Sequence, residues 1–188
     1  MSTKVEATID DLYKVEGKAE IVNGEIVLMP LTGILPGYAG DVITSSLLIY
    51  SKRMKFGCAF GDSKAFVVDL PHRKSFCPDA GFYVGAVSGS GMDFYQGAPV
   101  FAVEVRSKSD YGRYAERQMA QKRADYFAAG TLVVWDVDLL GDDVVRVYRS
   151  TNPEMPVIYR RGEIAEAEPA VPGWTMPVDD LFPEDYTK

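Results

Sequence analysis

The hydrophobic pattern changes period within residues 100–137, and this change limits the possible folds more than any other feature of the sequence. Val100–Arg106 is rich in Val and Phe, as strands are, whereas Tyr111–Ala129 follows a helical period and stops at Gly130, a residue that commonly ends helices. Leu132–Val137 is then a continuous apolar run typical of a buried strand. A strand, a helix and a strand in this order indicate an α/β domain.

Turn and breaker residues mark the other elements. Asn23-Gly24 lies between two short apolar runs, which is the strongest local signal for a β-hairpin. Gly, Pro and Ser separate the remaining runs, and a Pro-rich tail extends to Phe182. We predict helices at Ile9–Glu16 and Tyr38–Phe56, a loop at Pro30–Pro36, and strands at Ala19–Val22, Glu25–Met29, Lys64–Leu70, Asp79–Val84, Val144–Tyr148 and Val157–Arg160. The predicted fold class is therefore α/β, with a central mixed β-sheet flanked by helices.

Length and composition predict a single domain. A chain of 188 residues, 47% of them hydrophobic, can bury one core but is short for two ordinary domains, so we expect one domain over 1–188 with its core at about 9–182. No apolar run is long enough to cross a bilayer, and the N-terminal segment lacks the layout of a signal peptide. We therefore expect a cytoplasmic protein with no membrane partner.

Cysteine and histidine usage excludes several kinds of chemistry. Cys58 and Cys77 form neither a CxxC pair nor a zinc-ligand spacing, and we expect both to be buried free thiols. His72 is the only histidine, which removes most mechanisms that use an imidazole as base or metal ligand. Carboxylates and lysines must therefore supply any chemistry.

The net charge limits the ways in which this chain could bind nucleic acid. A formal charge of -7 has the wrong sign for generalised attraction to phosphates, which depends on Lys and Arg. A local site is still compatible with this charge, because acids that bind a divalent metal also add negative charge to the total.

The strands that contain Asp79 and Glu104 are expected to pair. If Asp79–Val84 and Val100–Arg106 form an antiparallel hairpin across the Gly-rich segment between them, a symmetric register places Asp79 beside Glu104. This juxtaposition would bring two carboxylates together at one edge of the sheet.

Glu104 and Lys122 are the two charged residues in unexpected positions. Glu104 interrupts an apolar strand, where an ionised carboxylate is costly unless it is paired or binds a metal. Lys122 lies within the helical stripe formed by Tyr111, Ala115, Met119 and Tyr126. Two alternatives involve no function: a structural ion pair at Glu104, and a lysine stem whose amine reaches water at the edge of the helix.

Asp, Glu and Lys at one sheet edge suit the hydrolysis of a phosphodiester. Two carboxylates offer the hard oxygen ligands that Mg²⁺ prefers, and the ion polarises a phosphate and lowers the pKa of a water. A lysine can then position or activate the attacking hydroxide. This chemistry needs no histidine.

Four short motifs carry a resemblance to a known family. Cys77–Asp79 and Val103–Ser109 resemble the PD and EV-x-S-x-S segments of the Uma-type family of proposed restriction endonucleases, within the PD-(D/E)XK nuclease superfamily. Lys122–Gly130 resembles the K-x-x-x-Y-x-x-x-G segment, and Ala19–Glu25 resembles the Y-E-L-I-x-G-E hairpin. The order and spacing of the motifs match from about Ile9 to Phe182.

The resemblance implies a restriction-endonuclease-like core and a set of site residues. Asp79 and Glu104 would be the ligands of Mg²⁺ or Mn²⁺, and Glu20 an additional acid near the site. The superfamily lysine position is occupied by Arg106, which cannot act as a base near neutral pH. Lys122 would then be the migrated catalytic lysine, with Lys108 as a substitute, while Arg106 could bind phosphate.

The leading functional hypothesis is a Mg²⁺-dependent endonuclease acting on nucleic acid, most readily DNA. Arg113, Arg117 and Arg123 on the same helix as Lys122 are candidate nucleic-acid contacts. A homodimer is expected by analogy, since paired cuts need two sites. The alternatives are a noncatalytic nuclease-fold module that binds protein or nucleic acid, and a small-molecule hydrolase, which an enclosed apolar pocket near Glu104 would favour.

Overall fold

The structure, a computed structural model, describes residues 5–86 and 90–185. The helices are α1 (Ile9–Leu12), α2 (Ile34–Met54) and α3 (Arg113–Ala128), with a 3-10 helix at Val178–Leu181. The strands are β1 (Ala19–Val22), β2 (Glu25–Leu28), β3 (Cys58–Gly61), β4 (Phe66–Val67), β5 (Ser75–Phe76), β6 (Ala80–Tyr83), β7 (Tyr95–Gln96), β8 (Phe101–Val105), β9 (Val133–Val137), β10 (Val145–Arg149), β11 (Asn152–Tyr159), β12 (Ile164–Glu166) and β13 (Thr175–Pro177).

A six-stranded mixed sheet lies between the two long helices. Its order is β11-β10-β9-β8-β6-β3, and the β8–β9 pair is parallel while its other pairs are antiparallel. One face packs on α2 in the largest buried cluster, which includes Ile43, Leu47 and Trp135. The other face carries a smaller cluster that includes Tyr126 of α3 and Val134 of β9. The α/β fold class with a mixed sheet flanked by helices is confirmed.

The predicted pairing of the strands beside Asp79 and Glu104 is confirmed. In β6 and β8, Ala80 lies opposite Val103 and Phe82 opposite Phe101. Asp79 precedes Ala80 and lies beside the Glu104 segment of β8: its N–H donates to the Val103 carbonyl at 3.0 Å, and its Oδ2 accepts the Val105 N–H at 2.7 Å. The connection between these strands is longer than a simple hairpin loop, since it contains β7, and its residues 87–89 lie outside the described residues.

Both N-terminal helices differ in length from their predictions. α1 ends at Leu12 instead of Glu16, after one turn closed by a capping box between Thr8 and Asp11. α2 begins at Ile34, four residues before the predicted start, and so includes part of the predicted loop. Pro36 is tolerated there because a residue in the first helical turn needs no intrahelical N–H partner.

The prediction of one strand over Lys64–Leu70 is wrong. Only Phe66–Val67 is extended, and it pairs with β5 and β7 in a separate three-stranded sheet. The edge of the central sheet is instead β3, whose four residues directly after α2 carry too short a pattern to be recognised. The hairpin of β10 and β11 is confirmed, although β11 begins at Asn152 and includes two prolines, which an edge strand accommodates.

One expectation about the cysteines is wrong. Cys77 is buried, but Cys58 is exposed at the start of the edge strand β3, which has no further strand beside it. None of the helices in the described part of the chain is long and apolar enough to cross a membrane.

Candidate active site

Four acidic residues lie at one level across four adjacent strands of the central sheet. Glu104 in β8 is paired in register with Asp136 in β9. Asp79 precedes Ala80, which is paired with Gly61, and Asp62 follows Gly61. Because residues in register share a face of a sheet, this arrangement collects carboxylates on the α3 side. Such a row needs cations to offset its repulsion.

The β1–β2 hairpin supplies two charged side chains to this face. Successive residues of a strand point to opposite sides, so Lys18, Glu20 and Val22 line the site pocket while Ala19 and Ile21 join a small apolar cluster with Leu12. The Glu20 carboxylate is 2% exposed, accepts the Cys77 N–H at 2.9 Å, and pairs with Arg73 and Lys122. The turn residues Asn23 and Gly24, both at positive φ, fix this register.

Helix α3 supplies two donors to Glu104. Lys122 and Tyr126 are one helical turn apart and therefore lie on the same face. The Lys122 Nζ lies 2.8 Å from Glu104 Oε2 and 2.9 Å from Glu20 Oε1. The Tyr126 hydroxyl donates to Glu104 Oε1 at 2.6 Å. The structure thus brings Glu20, Glu104 and Lys122 into direct contact, with Asp79 beside them.

Positive and negative side chains alternate along two runs of contacting residues in the site. Lys18 Nζ lies 2.5 Å from Asp79 and 2.7 Å from Asp62. A second run of contacting charges proceeds in the order Glu104, Lys122, Glu20, Arg73, Asp125. Between Asp79 and Glu104, where the two runs meet, no basic side chain of the described residues is within ion-pair distance of both carboxylates. This break in the alternation is a place where an added cation would be stabilised.

The pKa shifts follow from this arrangement. Burial and the charges of Asp79 and Glu20 raise the pKa of Glu104, against the opposing effect of Lys122. Burial acts on Glu20 in the same direction, but Lys122 and Arg73 outweigh it and lower the pKa of that carboxyl. Burial is likewise outweighed at Lys122, where the two glutamates raise the pKa. The ionised form of Glu104 would therefore be stabilised by a further cation.

The residues at the break fit a hard divalent cation as two of its ligands. Asp79 and Glu104 are partly exposed to the pocket, at 19% and 21% of their side chains, and present carboxylate oxygens on paired strands. Within residues 5–86 and 90–185, no three His, Cys, Asp or Glu side chains form a complete metal-binding group. A bound Mg²⁺ would therefore complete its coordination with water, backbone or substrate oxygens, as this ion commonly does.

Arg106, where the sequence resemblance leads one to expect a lysine, is held by acids. Its guanidinium pairs with both oxygens of the buried Asp136, at 2.7 and 2.9 Å, and also with Glu116. Arg123 contacts the same Asp136 at 3.3 Å and stacks on Tyr148. Both arginines thus neutralise a buried acid, which leaves Arg106 with little capacity for a phosphate in this arrangement.

The other predicted basic residues lie outside the pocket. Lys108, Arg113 and Arg117 are exposed, and none of them pairs with an acid of the described residues. Lys108 is not among the residues that line the pocket, so the structure does not bring this proposed substitute lysine to the carboxylates. Arg113 and Arg117 extend from the first turns of α3, where a polymer that reached beyond the pocket could contact them.

Sequence reasoning missed several residues of the site, among them Asp62. Tyr126 and Asp136 had a usable signal, since the former is one turn from Lys122 and the latter is an acid inside an apolar strand. Lys18 could have been found by strand alternation with Glu20. Arg73 gave no signal, because it lies in a segment between strands and becomes buried only through Glu20 and Asp125.

A pocket of about 350 Å³ covers the carboxylates. Its floor is charged, and one wall is formed by the apolar end of β2 and the segment after it, from Val27 to Leu31. Leu28 and Leu31 on this wall are 67% and 99% exposed. The pocket therefore joins a charged, hard-oxygen site to an apolar surface.

The α/β fold of this chain is similar to that of a protein whose structure has been solved. A solved structure of a putative nuclease belonging to DUF820 from Anabaena variabilis superposes with a TM-score of 0.73 at 17% sequence identity. The match covers 94% of this chain and 97% of that protein.

The sequence itself matches the Uma2 family, described as "Putative restriction endonuclease", over residues 8–179. The chain belongs to this family. No curated protein matches the sequence.

Proposed function

We propose that this protein is a divalent-metal-dependent endonuclease that hydrolyses phosphodiester bonds of nucleic acid, with DNA as the expected substrate. The observation that carries the proposal is the Asp79–Glu104 pair, two carboxylates that both open into the pocket and share no basic partner among the described residues. The family description and the nuclease-like fold support the same class of reaction.

Asp79 and Glu104 would hold Mg²⁺ or Mn²⁺, whose chemistry is to polarise the scissile phosphate and lower the pKa of a water. The remaining roles follow from the contacts of Glu104. Tyr126 and Lys122 each donate to one of its oxygens and fix the direction of the carboxylate. Since the pKa of Lys122 is raised, its amine stays protonated near neutral pH. Its role would be to orient the reacting groups and stabilise negative charge, and not to remove a proton.

One observation favours a noncatalytic nuclease-fold module as the second candidate. All four oxygens of the Asp79–Glu104 pair already accept a hydrogen bond or ion pair from the protein, including the Val105 N–H at 2.7 Å from Asp79. A site satisfied by its own donors could remain without a metal. The apolar wall would also suit a small-molecule hydrolase, although the family description favours nucleic acid.

The test is calorimetric titration of the protein with Mn²⁺, followed by plasmid nicking, for the wild type and Glu104→Gln. The substitution keeps the size of the side chain but removes the charge that the metal requires, so we expect Mn²⁺ binding to weaken by at least about tenfold and nicking to be lost. Glu154→Gln, at an exposed position of β11, is the matched control and should leave both unchanged.

The outcomes separate the candidates. Binding and nicking that disappear together in Glu104→Gln establish the metal-dependent nuclease. A wild-type protein that binds DNA but neither binds Mn²⁺ nor nicks plasmid establishes the noncatalytic module.

A further inference from the structure

Among residues 5–86 and 90–185, Lys18 is the basic side chain that contacts Asp79. Its Nζ lies 2.5 Å from Asp79 Oδ1 and 2.7 Å from Asp62 Oδ1, and 11% of the side chain is exposed. Lys18 also lines the pocket beside Glu104. Its ammonium therefore supplies positive charge to one of the two proposed metal ligands.

The two acidic partners of Lys18, Asp79 and Asp62, differ in exposure and in access to the pocket. Asp79 is 19% exposed and opens into the pocket, whereas Asp62 is 43% exposed and does not line the pocket. A divalent cation that bound Asp79 would meet an ammonium already at that carboxylate, and the two like charges would repel. The Lys18 side chain can move only if it finds another anion, because it is largely buried.

A phosphate in the pocket would be such an anion. Lys122 is less free to move to a phosphate, because its ammonium contacts both Glu20 and Glu104. Arg73 is likewise held in place by Glu20 and Asp125. Lys18 is the cation of the pocket floor whose second partner, Asp62, is on the solvent side and is shared with the Ser63 N–H. Of the two lysines that contact the proposed metal ligands, Lys18 and Lys122, it is therefore the more readily exchanged.

We propose that Lys18 is an internal counter-ion that moves from Asp79 to a phosphate of the substrate, so that metal and nucleic acid bind this site cooperatively. The inference rests on the proposed function, because it concerns the same metal ligands. In the protein without substrate, Lys18 competes with the metal for Asp79. With substrate, the ammonium neutralises the phosphate and leaves the Asp79 carboxylate to the metal. By linkage, metal must raise the affinity for phosphate by the same factor.

The experiment measures Mn²⁺ affinity by calorimetry, with and without thymidine monophosphate as the phosphate probe. In the absence of the nucleotide, Lys18→Met should bind Mn²⁺ about tenfold more tightly than the wild type, because the competing charge is gone. Thymidine monophosphate should tighten Mn²⁺ binding to the wild type but not to Lys18→Met. Asp62→Asn removes the second partner of Lys18, leaves the ammonium on Asp79, and should weaken Mn²⁺ binding severalfold.

Lys14→Met is the matched control, since Lys14 is 73% exposed and pairs with Asp11 away from the pocket. Thermal unfolding of each variant checks that the fold is retained, and Asp62→Asn alone tests the proposal if Lys18→Met does not fold. Equal or weaker Mn²⁺ binding by Lys18→Met, equal or tighter binding by Asp62→Asn, or nucleotide coupling that persists without Lys18 would overturn the inference. Mn²⁺ binding by Lys18→Met but not by the wild type would support it. If neither protein binds Mn²⁺, the proposed function fails together with the inference.

Discussion

At the scale of single residues, Glu20 links the site to the stability of the fold. Its carboxylate is buried between two cations, and a buried ion pair is far more costly to break than an exposed one. Glu104 differs, because it opens into the pocket and can exchange its partners with solvent. The two glutamates therefore have separable roles, although both contact Lys122.

We expect Glu20→Gln to lower the free energy of unfolding by about 3 kcal/mol, because it leaves the buried charges of Arg73 and Lys122 only partly compensated. Urea denaturation followed by circular dichroism measures this change. The exposed control Glu154→Gln should change the free energy of unfolding by less than about 0.5 kcal/mol. A Glu20→Gln protein as stable as the wild type would show that the ion pairs of Glu20 make no net contribution to the free energy of unfolding.

Glu20 should also make the free energy of unfolding depend on pH. The pKa of Glu20 is lowered in the folded protein, since Lys122 and Arg73 outweigh the effect of burial. The unfolded chain therefore binds this proton first as pH falls below its ordinary pKa of 4.5. The stabilisation from ionised Glu20 should be complete above that pH and be lost progressively below it. Urea titrations from pH 7 to pH 3 should show the difference between wild type and Glu20→Gln shrinking below about pH 4.5; a constant difference would contradict the assignment.

At the scale of elements, two glycines differ in how much space the packing around them leaves for a side chain. Gly37, inside α2, would place a Cβ 3.7 Å from its nearest neighbour, Thr32, which is an ordinary contact. A Cβ at Gly81, in β6, would lie 2.2 Å from the Phe101 carbonyl oxygen and 2.6 Å from the Phe60 ring. The strand that follows Asp79 can therefore pair closely with β8 only if this residue has no side chain.

The same substitution should have opposite effects at these two positions. We expect Gly37→Ala to stabilise the protein by about 0.5 kcal/mol, because it reduces the freedom of the unfolded chain at a helical site. Gly81→Ala should destabilise it by about 2 kcal/mol or more, because β6 and β8 must separate. Thermal unfolding ranks the two variants, and a Gly81→Ala protein with the stability of the wild type would contradict the β6–β8 packing.

At the scale of the whole molecule, the charge distribution limits where a nucleic-acid backbone could bind. The chain carries 27 acidic and 20 basic residues, and the basic residues of the pocket are neutralised by acids. Contacts with the backbone of a polymer beyond the pocket would therefore come from basic residues outside it. Arg113 and Arg117 are exposed and unpaired among the described residues, and they begin the helix that holds Lys122.

We expect Arg113→Gln and Arg117→Gln each to weaken DNA binding and to reduce the slope of log affinity against log salt by about 0.9, the amount for one lost phosphate contact. Fluorescence anisotropy with a labelled duplex in Ca²⁺, over a series of salt concentrations, measures both quantities. Arg161→Gln is the control, since Arg161 pairs with Asp179 in the C-terminal part of the chain. Slopes that stay at the wild-type value in both α3 variants would show that this end of the helix does not contact DNA.

The sequence by itself determined the elements whose pattern is local. The period change from β8 through α3 to β9, the Asn23-Gly24 turn, and the antiparallel pairing of β6 with β8 all follow from side-chain alternation and turn chemistry between neighbouring segments. The same local logic marked Glu104 and Lys122 as charges in apolar surroundings, and the structure brings them together.

Only the tertiary structure decided which segments complete the sheet and which charges complete the site. The edge strand β3 and the separate sheet that contains Phe66 depend on pairing between distant segments, which a short hydrophobic pattern does not specify. Lys18 and Arg73 carry ordinary charges in the sequence and gain their positions from carboxylates 44 or more residues away. The energy of a buried charge depends on its neighbours in space, and those neighbours are set by the completed fold.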